Sequence, residues 1–154
     1  MQTTTDKQTL QAKIVINSHG YRALIAEKAF EINEIISPFW WVESYTAPNY
    51  LTVQISDDNH IILIPAILDS INHSCKPNAF FDTTSCNLIC ITPINQDEEL
   101  TFFYPSAEWH MDNPFDCTCG HSNCIGKVIG AKYLNTSQLA NYKLTNYIIS
   151  KLTA

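Results

Sequence analysis

The chain has 154 residues, of which 45% are apolar and 16% charged, a composition that suits one globular domain and argues against disorder. Its formal net charge is −6 and its nine basic residues are scattered, so no direct nucleic-acid contact is expected. No apolar run is long enough to span a bilayer, so no membrane association is expected, and the polar, Thr-rich stretch 1–12 reads as a flexible tail rather than a secretory signal; an intracellular (cytoplasmic or nuclear) protein is the expectation.

Along the chain, Lys13–Asn17 and Arg22–Ala26 read as strands joined by the turn Ser18-His19-Gly20-Tyr21. Phe30–Ser37 alternates weakly as a further strand and leads into the aromatic run Phe39, Trp40 and Trp41. Leu51, Val53 and Ile55 alternate with Thr52, Gln54 and Ser56, the pattern of a half-buried strand. The turn Asp57-Asp58-Asn59 hands over to an apolar strand, His60–Ile64, and Pro65 opens a short helix at Ala66–Ile71. Ala79–Asp82 and Leu88–Thr92 read as strands around a polar turn, and Leu100–Phe103 as another. Residues 112–126 are loop-like. In 135–154, Leu139, Tyr142, Leu144, Tyr147, Ile148 and Ile149 suit one amphipathic helix with Thr136 or Ser137 as N-cap. The expected class is mostly β (α+β): many short strands, several small sheets, few helices.

Six cysteines without a secretory signal favour metal binding over disulfides. Cys117, Cys119 and Cys124 fall within eight residues, and Gly120 permits the tight turn that aims three sulfurs at one point. A structural zinc takes four ligands in a closed tetrahedron, so a fourth must come from Cys75, Cys86, Cys90 or His121. Cys86 and Cys90, four apart on a strand, also suit plain burial.

The run Ile71-Asn72-His73-Ser74-Cys75-Lys76-Pro77-Asn78 closely resembles the first signature of SET-domain protein lysine methyltransferases. Asp97-Glu98-Glu99-Leu100-Thr101-Phe102-Phe103-Tyr104 resembles their second signature, and the cysteine loop resembles their post-SET segment. His19-Gly20-Tyr21-Arg22 looks like a degraded glycine-rich opening, with Arg22 where relatives carry a second glycine. The resemblance implies a SET domain over 13–111 with a threaded C-terminal segment, a zinc-binding post-SET segment over 112–134 and a helix over 135–154. It also implies Cys75 as the fourth ligand of a structural zinc beside Cys117, Cys119 and Cys124.

The activity so implied is methyl transfer from S-adenosylmethionine to a lysine amine of a protein or peptide. Tyr104 would be catalytic, orienting the amine and stabilising the polar transition state. Gly20, Tyr21, Arg22, Asn72, His73, Tyr104 and Phe115 would hold the cofactor. Phe39, Trp40, Phe81 and Phe102 would line an aromatic channel that excludes water and disfavours the ammonium form of the acceptor. Two other readings are an inactive binding module and an enzyme acting on a non-protein amine.

Overall fold

A computed structural model describes residues 9–154. Residues 1–8 of the expected N-terminal tail lie outside the described residues, and the first strand opens at Ala12, inside the stretch read as tail. Strands β1 (Ala12–Ile16) and β2 (Arg22–Ala26) form an antiparallel hairpin with Ala12 opposite Ala26. Asn17 shapes the hairpin's turn by accepting from the backbone N–H of both His19 and Tyr21 through its side-chain oxygen.

Two three-stranded sheets follow. In one, β3 (Ile35–Pro38) and β8 (Ala79–Asp82) flank β9 (Asn87–Cys90); in the other, β4 (Ser44–Tyr45) and β5 (Thr52–Ser56) flank β6 (Asn59–Ile62). The helix expected after Pro65 is a 3-10 turn, Ala66–Ser70. Strand β7 (Asn72–His73) pairs in parallel with β10 (Thr101–Phe102), and β11 (Phe115–Asp116) pairs with β12 (Lys127–Val128) across the mouth of the cysteine loop.

The sheets close on one apolar core that includes Leu24, Ile61, Leu68, Ile71, Phe81, Leu88 and Leu100, all fully buried. Residues 99–104 are stitched between β2 and the turn after β7. Leu100 N–H donates to the Leu24 carbonyl, Asn78 donates to the Glu99 carbonyl, and Asn78 Oδ1 accepts from Thr101 N–H. This is the tuck expected from the sequence, and it leaves Phe102 and Tyr104 at the centre of the molecule.

A single helix over 135–154 is not formed. Helix α1 (Thr136–Leu139) and helix α2 (Asn146–Leu152) are separated by an irregular stretch. Asn135, rather than Thr136 or Ser137, caps α1 in a reciprocal capping box with Gln138. Thr145 caps α2 through its side chain, while its own N–H donates to the Ser106 carbonyl. Between the helices Tyr142 stacks on Phe103, with ring centroids 3.6 Å apart. These tertiary contacts outweigh the helical periodicity of the segment.

Gly130 is the tightest backbone approach. Its φ is +134°, and a Cβ there would lie 2.3 Å from the Trp109 carbonyl oxygen. Gly130→Ala is therefore expected to cost on the order of 2–4 kcal/mol, from backbone strain and overpacking together. A urea midpoint matching the wild type would show that the two segments do not approach this closely.

Candidate functional site

Two cavities meet at one aromatic partition. The first, of about 430 Å³, is walled by the β1–β2 hairpin, β7 and the start of the cysteine loop, with Tyr21, Asn72, His73 and Glu99 on its surface. The second, of about 390 Å³, is mostly apolar and includes Leu68, Phe81 and Phe102. Tyr104 and Phe115 line both cavities.

Tyr104 follows β10 and is fixed from two sides. Its hydroxyl donates to the Ile71 carbonyl at 2.9 Å, and its backbone N–H donates to His73 Nδ1 at 3.1 Å. Burial drives the phenol well above its ordinary pKa, with Tyr21 and Glu99 adding to the effect. Because the hydroxyl proton is committed to Ile71, the oxygen presents lone pairs to the cavities. Phe102 packs against the Tyr104 ring at 4.5 Å and Phe81 meets Phe102 edge-on at 4.8 Å, so an aromatic wall runs from the partition into the second cavity.

Asn72 donates both amide hydrogens, to the Arg22 carbonyl at 2.7 Å and to Glu99 Oε1 at 2.9 Å. Its Oδ1 has no donor among the described residues and so can accept from a ligand. His73, expected from the resemblance to help hold the cofactor, has both ring nitrogens engaged within the protein. Nδ1 accepts from Tyr104, and Nε2 lies 3.4 Å from Cys75 Sγ. Burial lowers its pKa to about 4, so the ring is neutral with Nε2–H directed at the sulfur. What His73 offers the first cavity is its ring face, which meets Phe115 at 5.9 Å, and its backbone.

The thiols of Cys75, Cys117, Cys119 and Cys124 all lie within 4.8 Å of one another and could hold a metal ion. Cys75 Sγ and Cys117 Sγ are 3.8 Å apart, close to the ~3.8 Å edge of a tetrahedron with 2.3 Å metal–sulfur bonds. Backbone N–H groups point at the sulfurs: Cys119 N–H at Cys117, Ile125 N–H at Cys75 and Gly126 N–H at Cys124, each at 3.4 Å. Such donors favour thiolates. Burial pushes the Cys75 thiol up, whereas Cys119 is brought down to about 7 by hydrogen bonds that outweigh its burial. Four sulfurs at this spacing, met by N–H donors, fit a soft divalent ion better than four neutral thiols. Cys86 and Cys90 stand apart from the cluster, and Cys90 is fully buried.

Some expected site residues are elsewhere. Gly20 and Arg22 do not line the first cavity; Gly20 shapes the hairpin turn with φ +77°, and Arg22 contributes its carbonyl to Asn72. Phe39 and Trp40 line neither cavity. Phe39 packs behind Phe81 at 5.6 Å, and Trp40 is turned outward, 48% exposed, by its bridge to Ile64. Three contributors were not among the expected site residues. Glu99 holds Asn72, Glu108 sits buried in the second cavity, and the Tyr142 hydroxyl donates to the Cys75 carbonyl at 2.7 Å. Only the partnered position of Glu99 within the second signature could have drawn attention to it.

The comparisons agree with this architecture. The SET domain family model matches residues 9–105. The chain belongs to the SET-domain family. It is 38% identical over 101 residues to the methyltransferase flvH of Aspergillus flavus, covering 64% of this chain and 56% of that protein. A histone-lysine N-methyltransferase, H3 lysine-36 specific, of Chaetomium globosum is 35% identical over 65 residues, 38% of this chain and 7% of that one. Among solved structures, KRYPTONITE in complex with mCHG DNA and SAH superposes with a TM-score of 0.60 at 21% identity, over 77% of this chain and 29% of that one. A second KRYPTONITE structure, with mCHH DNA, an H3(1-15) peptide and SAH, gives a TM-score of 0.58 at 18% identity, over 75% of this chain and 29% of that one. The chain thus spans about half the length of flvH and a small part of the larger relatives. No helix among the described residues is long and apolar enough to cross a membrane.

The Tyr142 contact has a measurable consequence. Tyr142→Phe keeps the stack on Phe103 but removes the hydrogen bond to Cys75, leaving Asn123 as that carbonyl's remaining side-chain donor. The expected cost is about 1 kcal/mol of stability, with faster amide exchange across residues 117–126. Unchanged exchange in that loop would show that the C-terminal segment does not brace it.

Proposed function

We propose that this chain is an S-adenosylmethionine-dependent methyltransferase whose acceptor is a lysine side chain of a protein or peptide. The observation that supports the reading is the partition: Tyr104, its hydroxyl proton donated to Ile71, lines both cavities. When bound, S-adenosylmethionine supplies a methyl group on a sulfonium. The first cavity fits such a cation. It combines a free amide oxygen on Asn72, the Glu99 carboxylate and the aromatic faces of Tyr21, His73 and Phe115. This set differs from the sequence expectation in using the Arg22 backbone as a brace for Asn72 and Gly20 only as a turn.

The second cavity takes the acceptor. Phe81 and Phe102 exclude water there, which favours the neutral amine needed for attack. Tyr104 accepts an N–H of that amine, turning the nitrogen lone pair toward the first cavity. Its role is to orient the amine, and burial drives its phenol well above the ordinary pKa. Cys75, Cys117, Cys119 and Cys124 hold a structural zinc with no open coordination position. That ion ties the loop carrying Phe115 to the turn carrying His73. An intracellular setting, cytoplasmic or nuclear, suits thiols kept for metal rather than for disulfides.

The first test is transfer of label from radiolabelled S-adenosylmethionine to proteins of a cell lysate, resolved on a gel. Label in protein bands, at lysine by mass spectrometry, is expected; label only in small molecules would replace the protein acceptor with a free amine. Calorimetry should show cofactor binding, and its absence would favour a relic without activity. Tyr104→Phe should retain cofactor affinity and lower kcat on the order of 100-fold or more. Near-normal turnover would remove Tyr104 from the chemistry. Cys119→Ser should lose zinc and cofactor affinity together, since metal binding and local folding are coupled. Full zinc content in that variant would break the proposed ligand set.

A further inference from the structure

The second cavity contains a charge that methyl transfer as described leaves unused. Glu108 follows the 3-10 turn Tyr104–Ser106, and its backbone N–H donates to the Tyr104 carbonyl. It is only 7% exposed, yet it lines the cavity. One carboxyl oxygen, Oε1, accepts from Gln54 N–H at 3.1 Å; Oε2 has no donor among the described residues. No basic side chain lines this cavity, whereas Asp69 and Asp112 stand at its exposed parts. The lining also includes Phe81, Phe102 and Tyr104 together with the polar Asn49, Thr52 and Asn113, and the phenols of Tyr104 and Tyr147 both feel the Glu108 charge.

A carboxyl group in apolar surroundings without a cation is poorly accommodated. Burial lifts its pKa to about 8, with the Gln54 hydrogen bond working the other way. A positive ligand would restore the carboxylate and fill the vacancy at Oε2, and the aromatic faces beside it attract the same charge. Exposed acids at the cavity's margin would steer that ligand inward.

We propose that Glu108 is a specificity-determining residue of the acceptor cavity, its carboxylate receiving the ammonium group of a cationic acceptor through Oε2 as it enters, before that group loses its proton for attack. The inference rests on the second cavity being the acceptor side, as proposed above. It adds that charge, and not only shape and apolarity, selects what enters. An uncharged chain of the same length would leave Oε2 without a partner and is rejected for that reason.

The test uses Nα-acetyl-lysine methylamide and its norleucine counterpart as a matched pair of charged and uncharged probes. Each is titrated into the full chain with and without S-adenosylhomocysteine, followed by NMR. The wild type should prefer the lysine probe by about tenfold. Glu108→Gln, which keeps the acceptor for Gln54 N–H, should shrink that preference to about twofold, and Glu108→Asp should retain most of it. Thermal midpoints and S-adenosylhomocysteine affinity, read on the same samples, separate loss of recognition from loss of folding. A preference that survives in Glu108→Gln, or that the wild type lacks, overturns the role of Glu108. A wild type that discriminates by charge but labels no lysate protein overturns the protein-lysine reading and leaves the role of Glu108 standing.

Discussion

The parallel pairing of Asn72-His73 with Thr101-Phe102 is the contact on which the site depends. Parallel neighbours cannot be joined by a tight turn, so the chain between them must leave and return. Here it builds β8 and β9 on the way, and their core residues press on the strand that comes back. The register that results sets His73 Nδ1 against Tyr104 N–H and the Ile71 carbonyl against the Tyr104 hydroxyl. A slip of one residue would reverse the faces of β10 and turn Tyr104 away from both cavities. A two-residue ladder is weak alone. It is held by Asn78, which bonds Glu99 and Thr101 from the side, and by the burial of Leu100.

Electrostatics divides the two cavities by different means. On the first side, both amide hydrogens of Asn72 are engaged while its oxygen is not, and burial keeps the histidine neutral. That arrangement favours a ligand bringing donors and positive charge. On the second side there is little polarity, so the few carboxylates present act with little screening from water. Burial drives the phenol between them well above its ordinary pKa, with Tyr21 and Glu99 adding to the effect.

The local parts of this design were legible in the sequence, and the long-range parts were not. Strand β5 follows from period-two alternation, and the hairpin β1–β2 and strands β8 and β9 from short apolar runs and the turns that join them. The cysteine loop was readable because three thiols in a polar, Gly-containing segment have no core to enter. Strands β4 and β7 escaped notice, since two residues carry no periodicity. The tail read as one helix because its apolar spacing is helical; what divides it is the Phe103–Tyr142 stack and the Thr145–Ser106 bond, both remote in sequence. Trp40 and Phe39 were placed in the channel as members of an aromatic run. Just past the end of β3, Phe39 is buried behind Phe81 while Trp40, bridged to Ile64, is half exposed. Glu108 reads as a surface acid until the fold closes over it.

The C-terminal segment completes the argument about stability. Sheets of two and three short strands leave many edges and few continuous layers, and a chain of this length has only a modest core with which to offset its conformational entropy. Two devices compensate. The cysteine cluster brings Cys75 to a loop more than forty residues later, as its 3.8 Å approach to Cys117 records. The second apolar cluster, Phe103, Leu139 and Ile148 with Tyr142, then covers the outer side of that tie, while Tyr142 and Asn123 both bond the Cys75 carbonyl. Anything that loosens this tie also frees the turn carrying His73, and with it the backbone hydrogen bond that positions Tyr104. Cysteine cluster, C-terminal segment and partition tyrosine therefore form one mechanical unit: the fold gains order at its weakest place by the same contacts that fix the geometry between the cavities.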